Sequence, residues 1–205
     1  RFVYCSTFKL FLAACVLEKA RTGGSPMDKA IAITAADMVT YAPVTGPAVG
    51  GTLTIEQLCQ ATVEVSDNPA ANLLLREICG LGVLREFYRS MGDQQTRVDR
   101  YEPEMNLLDG DKDTAVPLRI VKNLKSLFIH PLPRLNDAPR RTLLGWMFDS
   151  PTGVARIKAG VPQGWRVAHK TGTGGYGPTN DIGILYPPMG DPVIVAAYYH
   201  GATDD

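Results

Sequence analysis

Ser6-Thr7-Phe8-Lys9 sets a hydroxyl and an amine three residues apart at the start of a helix-forming run, so both project from one helical face. An apolar helix would desolvate Lys9, lowering its pKa and favouring the neutral amine that a general base for Ser6 requires. Ser66-Asp67-Asn68 falls at a break between two helical patterns, where the same side chains could equally cap a helix. Lys170-Thr171-Gly172-Thr173 follows a strand candidate at 165–168 and precedes Gly174-Gly175. Polar groups at such a strand end can meet a ligand where glycine permits close approach, or simply form a β-turn. Each motif is common alone, since S-x-x-K arises by chance roughly once in a chain of this size. Their order and separations are not common.

These groups need elements to hold them. The chain has 205 residues, 45% apolar and 20% charged, the composition of an ordinary globular protein of one or two domains. Lys+Arg and Asp+Glu balance at 21 each, which gives no basic excess for a phosphate backbone, so nucleic acid is not expected as a partner. The run Leu10 to Leu17 is closed by Glu18-Lys19 and falls well short of the ~18 residues a membrane span needs. Cys5, Cys15, Cys59 and Cys79 are too dispersed for a disulfide scaffold or a zinc ribbon. Leu12-Ala13-Ala14-Cys15 imitates the end of a lipoprotein signal, but Lys9 interrupts its apolar region and a buried helix is the alternative.

Helix is expected over 6–20, with Ser6-Thr7 as its cap, then over 55–79 with a break at 66–69, over 84–91, 118–129 and 140–148. Residues 21–54 carry Gly23-Gly24, Pro26, Pro43, Pro47 and Gly50-Gly51 and read as irregular connections. The first 150 residues thus look all-helical. Arg100 to Pro117 reads as a long loop, and loops of that length tend to be functional or disordered. Strands are expected at 165–168, 182–186 and 193–199. Three strands without covering helices leave a sheet face exposed, which suggests a truncated sequence.

Taken together, S-T-F-K, S-D-N and K-T-G-T resemble the serine β-lactamase and penicillin-binding protein superfamily, in the form found in class A β-lactamases. Arg100-Tyr101-Glu102-Pro103-Glu104-Met105-Asn106, continuing to Asp113-Thr114, looks like the class A Ω-loop. Tyr41-Ala42-Pro43-Val44-Thr45 resembles the aromatic gate, and Asn72 stands where the family has an asparagine supporting that loop. The likeness covers nearly the whole chain, without the family's N-terminal helix and two strands or its C-terminal helix. It implies an α+β fold: an all-helical domain, 1–150, beside an α/β sandwich with an antiparallel sheet, incomplete here and represented by 151–205.

The resemblance also implies roles. Ser6 would attack the β-lactam carbonyl to form an acyl-enzyme, with the backbone N–H groups of Ser6 and Thr173 as oxyanion hole. Lys9 or Glu102 would take the serine proton, Ser66 would relay a proton to the leaving nitrogen, and Lys170 would supply positive charge. Glu102, helped by Asn106, would activate the hydrolytic water. Penicillin-binding proteins and β-lactam sensors lack this glutamate and stay acylated. Asn68, Thr171, Gly172, Thr173, Tyr41 and Arg156 would contact substrate, Arg156 as the arginine that meets its carboxylate.

No metal or cofactor is implied, and a monomer exported to the periplasm or cell exterior is expected although no signal peptide is visible. Three departures stand out. The Ω-loop between Asn106 and Asp113 is shorter than the family pattern. Gly174 replaces the cysteine with which Cys5 pairs in some relatives. His169 stands before K-T-G where an acidic residue is usual, and the sequence offers no reason for it.

Overall fold

The computed structural model describes residues 1–78 and 80–201. Helix α1, Phe8–Arg21, runs through the centre, and every residue from Phe8 to Leu17 is buried, so it is apolar all round rather than on one stripe. Burial of each large side chain in that run contributes about 1.5–3 kcal/mol. Around α1 pack α2 (Ile55–Glu64), α3 (Asn68–Glu77), α4 (Leu81–Ser90) and α6 (Asp137–Asp149). Helix α5 (Pro117–Phe128) lies against the main sheet, and α7 (Ile157–Gly160) is a single turn.

Helix α1 is not capped by Ser6-Thr7. A 3-10 turn, Cys5–Thr7, leads directly into it, with Thr7 already in helical backbone geometry and its Oγ1 donating backwards to Tyr4 O at 2.8 Å. The hydroxyls therefore do not close the helix end, and Ser6 is left to face outward. Helices α2 to α6 lie where the sequence pattern placed them, to within a few residues at each end, while the single turn α7 was not expected.

The first 150 residues also hold strands that the sequence does not announce. Strand β1 (Phe2–Val3) pairs antiparallel with β4 (Thr114–Ala115), and β2 (Ala30–Ala32) with β3 (Thr52–Thr54). They are too short to show period-two alternation. The first pair ties the chain's start to the far end of the Arg100–Asp113 loop.

The three long strands form one antiparallel sheet in the order β5 (Arg166–Thr173), β6 (Thr179–Tyr186), β7 (Val193–Tyr199). Strand β5 is twice as long as the 165–168 segment. Lys170-Thr171-Gly172-Thr173 is its last half, paired to β6 from Lys170↔Ile182 to Thr173↔Thr179, not a turn beyond it. Helix α6 packs on β5 and α5 on β7. Strands β5 and β6 are buried along their middles, and the exposure expected of the sheet is concentrated on β7, where Val193 and Tyr199 stand open.

Candidate active site

Gly172 explains how the two ends of the chain meet. A Cβ there would stand 2.7 Å from Tyr4 O and 3.1 Å from Ser6 N, so only glycine lets β5 lie against the turn that presents Ser6. The end of β5 is thereby brought beside the Ser6 amide. Two flanking bonds fix the approach: Asn180 Nδ2 donates to Val3 O at 2.9 Å, and the Tyr198 and Thr7 hydroxyls lie 3.2 Å apart.

A cleft of about 380 Å³ opens over this junction, lined by Ser6, Tyr41, Ser66, Asn68, Asn106, Arg156, Thr171, Gly172 and Thr173, all of them singled out from sequence. Thr152 and Gly153 complete its wall and were not anticipated. Their place follows from a relay of hydroxyls, Ser150 to Thr152 to Thr171 at 2.9 Å each, which no motif signals.

The S-D-N segment divides its work by residue. Asp67 is the structural member: Oδ1 accepts from Ala70 N (2.9 Å) at the start of α3 and from Thr45 Oγ1 (2.8 Å), and Oδ2 from the Val44 and Thr45 amides. Those bonds fix the Tyr41–Thr45 segment to α3. Ser66, held at φ 64°, and Asn68 then face the cleft. Asn68 donates from Nδ2 to Thr40 O at 2.8 Å and from its backbone to Tyr41 O at 3.0 Å, which sets Tyr41 at the rim, 59% exposed.

Behind Ser6 and Ser66 lies the charged layer. Lys9 is completely buried, and its ammonium donates to Ser66 O at 2.7 Å, Ser66 Oγ at 3.3 Å and Asn68 Oδ1, with Glu102 Oε1 at 3.0 Å. Burial pushes the Lys9 pKa down, and the Glu102 carboxylate opposes that fall. Lys170 is also buried and donates to Thr171 O at 3.0 Å. Burial first, and then the charge of Lys9, holds its pKa well below the ordinary lysine value.

Glu102 is positioned through its backbone and its carboxylate at once. Asn72 clamps the backbone, accepting from Glu102 N at 3.0 Å and donating to Glu102 O at 2.9 Å. Asn106 Nδ2 donates to Glu102 Oε2 at 2.5 Å. The loop that carries Glu102 is closed by Arg100, whose Nε donates to Asp113 Oδ2 at 2.6 Å while a second nitrogen reaches Leu107 O at 2.8 Å. Asp113 is buried, and its Oδ1 accepts from the Asp99 and Arg100 amides and from Tyr4 OH. Tyr4 thus joins the loop anchor to the turn carrying Ser6.

Arg156 lies just before α7 and points its guanidinium along the end of β5, donating to Thr173 Oγ1 at 2.7 Å, Asn180 O at 2.9 Å and Gly172 O at 3.4 Å. Burial lowers its pKa, against the charge of Asp181. Cys5, Cys15 and Cys59 are free and buried, and Cys79 lies outside the described residues. A Cβ at Gly174 would lie 3.1 Å from Cys5 Sγ, so this thiol faces a glycine.

A hydroxyl at a cleft floor, two desolvated amines and a clamped carboxylate form a covalent-hydrolysis constellation, and comparison with known proteins decides its family. A model described as the β-lactamase enzyme family matches residues 1–205. The chain belongs to that family. It is 37% identical over 201 residues to β-lactamase CTX-M-6 of Salmonella typhimurium, covering 97% of this chain and 68% of that protein. It is 39% identical over 207 residues to a β-lactamase of Citrobacter koseri, covering all of this chain and 70% of that one. Among solved structures, the ancestral GNCA class A β-lactamase superposes with TM-score 0.94 at 42% identity, covering 100% of this chain and 78% of that chain. A class A β-lactamase from Mycobacterium abscessus gives TM-score 0.91 at 39% identity, over 95% and 74%. The α+β β-lactamase fold expected from the motifs is therefore the fold of this chain.

Proposed function

We propose that the chain hydrolyses the amide bond of penicillin- and cephalosporin-type β-lactams through an acyl-enzyme on Ser6, and so confers resistance to them. The observation that carries the reading is Glu102: it is buried, clamped by Asn72 and Asn106 and 3.0 Å from the Lys9 ammonium, which supports its use as the general base of a second, hydrolytic step. With residues 1–150 as a helical domain and 151–205 as a partial sheet domain, the cleft falls at their junction.

Ser6 Oγ attacks the lactam carbonyl, whose oxygen is received by the backbone N–H groups of Ser6 and Thr173. The close packing of Gly172 on Ser6 N supports that pairing. A proton can shift within the Lys9–Glu102 ion pair, so either member can accept the serine proton, and Lys9 hands one on to Ser66, which leaves Glu102 ionised again. Ser66, 3.3 Å from Lys9 Nζ, passes a proton to the ring nitrogen as the C–N bond breaks. Lys170, Thr171, Thr173 and Arg156 meet the substrate carboxylate, Asn68 its side-chain amide, and Tyr41 lines the entrance. Glu102 then deprotonates a water, ordered with Asn106, that attacks the ester, and the proton returns to Ser6 Oγ as the C–O bond breaks.

No helix among the described residues is long and apolar enough to cross a membrane. Membership of the family supports a monomer exported to the periplasm or cell exterior.

The test is a time course of chromogenic cephalosporin hydrolysis at known enzyme concentration, beside Glu102→Ala. Sustained turnover is expected from the unmutated chain. In Glu102→Ala a burst of one equivalent is expected, followed by turnover reduced about 10²–10⁴-fold, the share a general base supplies. A single-equivalent burst from the unmutated chain would make it a β-lactam sensor.

A further inference from the structure

His169 has no part in the chemistry above, yet it is among the most enclosed polar side chains in the molecule, fully buried one residue before Lys170. Its Nδ1 lies 2.9 and 3.0 Å from the two carboxylate oxygens of Asp181 on the neighbouring strand, so Nδ1 carries the proton and the carboxylate accepts it. Asp181 has a second duty. Its Oδ2 accepts from the backbone N–H of Ile157, the first residue of α7, at 3.2 Å. The residue before that amide is Arg156.

Apart from the Arg156 guanidinium itself, the 152–157 segment meets the sheet through Thr152, Gly153 and Ile157, and the last two contacts involve this pair. Thr152 Oγ1 meets Thr171 Oγ1 at 2.9 Å. Gly153, at φ +62°, lies close against the edge of the imidazole and Thr171: a Cβ there would stand 3.3 Å from His169 Cε1 and 2.5 Å from Thr171 Cγ2. Ile157 N is fixed on Asp181. The Arg156 amide closes the intervening turn on Gly153 O at 3.0 Å, and from that turn the guanidinium reaches Thr173 and Gly172. Gly183 faces His169 across the strand pair, where a Cβ would come within 2.9 Å of the His169 Cα and Cβ, so glycine is what leaves room for His169 there. Besides Asp181, the charged side chains around this platform are Lys170 on the same strand and Arg156 and Lys158 on the covering segment, all of which feel the Asp181 carboxylate.

We infer that His169, through Asp181, is a positioning residue for substrate carboxylate recognition: the pair forms a buried platform that sets the 152–157 turn and thereby aims Arg156 into the cleft. The inference rests on the reading of Arg156 as the carboxylate's partner. It concerns specificity rather than bond making, because neither side chain lines the cleft.

The test compares a chromogenic cephalosporin with its methyl ester, which lacks the charge that Arg156 would read. In His169→Leu, KM for the free acid should rise about 10-fold or more, the worth of a hydrogen bond to a charged group, while KM for the ester and both kcat values hold within about 3-fold. His169→Asn keeps a donor near the position of Nδ1 and should retain the preference for the acid. Asp181→Ala removes the platform from the other side and should repeat the His169→Leu pattern, so the inference does not depend on one variant folding. In Arg156→Ala the acid preference should fall by about 10-fold or more, to the part that Lys170, Thr171 and Thr173 supply, and adding His169→Leu should change nothing more. Equal loss on acid and ester in His169→Leu and Asp181→Ala, or additivity with Arg156→Ala, overturns the positioning role. An acid preference undiminished in Arg156→Ala removes the reading of Arg156 as the carboxylate's partner, a different result from either.

Discussion

Lys9 shows how one side chain is made fit for two partners. Burial disfavours its charge, the Glu102 carboxylate favours it, and hydrogen bonds to Ser66 and Asn68 orient it. A guanidinium cannot lose its proton at neutral pH, so Lys9→Arg should keep the positive charge and lose the acceptor. Pre-steady-state acylation by a chromogenic cephalosporin should slow by about 10²-fold or more. An unchanged acylation rate would place the whole burden of proton acceptance on Glu102. The identities of Ser6, Lys9, Ser66, Glu102 and Lys170 could be read from short motifs because chemistry constrains residue type and local spacing. Thr152, Gly153 and the His169–Asp181 pair could not, because what matters in them is a contact between strands and turns distant in sequence.

The loop carrying Glu102 behaves as an element in its own right, closed by Arg100 and Asp113 and stitched to β1 and the Ser6 turn through β4 and Tyr4. Arg100→Ala leaves a buried carboxylate without its cation, a change that typically costs about 3–5 kcal/mol. The expected outcome is a lower midpoint in urea unfolding and slowed deacylation, with acylation much less affected, as rapid-quench measurements would resolve. Gly172→Ala should act on the opposite step. Its methyl would meet the Tyr4 carbonyl and push β5 from Ser6, so acylation should fall about 10²-fold or more, as when an oxyanion donor is lost. Helices were legible in sequence because their period runs over ten or more residues. The two short β pairs were not, being set by tertiary contact, and the cap at Ser6-Thr7 was misread because a 3-10 turn takes the place of an N-cap.

For the whole molecule, enclosure of thiols and phenols predicts a response to alkali. Burial pushes Cys5 and Cys15 up to about 12, and raises Cys59 further. A thiol whose pKa is raised by folding ionises first in the unfolded chain. Its contribution is therefore fully present below pH 9.0 and lost as pH climbs towards the folded value. Between pH 9 and 10 each such thiol should remove about 1 kcal/mol of unfolding free energy. Cys59→Ala, compared with the unmutated chain by urea unfolding at both pH values, should show a correspondingly shallower decline.

The meeting of Gly172 with the Ser6 turn has a bearing on biogenesis. The bonds beside it join residues 177 and 191 positions apart, so the site is built from segments that leave the ribosome well apart in time. The nucleophile emerges early and stays incomplete until β5 arrives and docks. Nascent chains arrested before β5 should be unreactive towards a fluorescent penicillin, whereas chains released with β5 in place should label, making covalent labelling a stopwatch for the docking of β5.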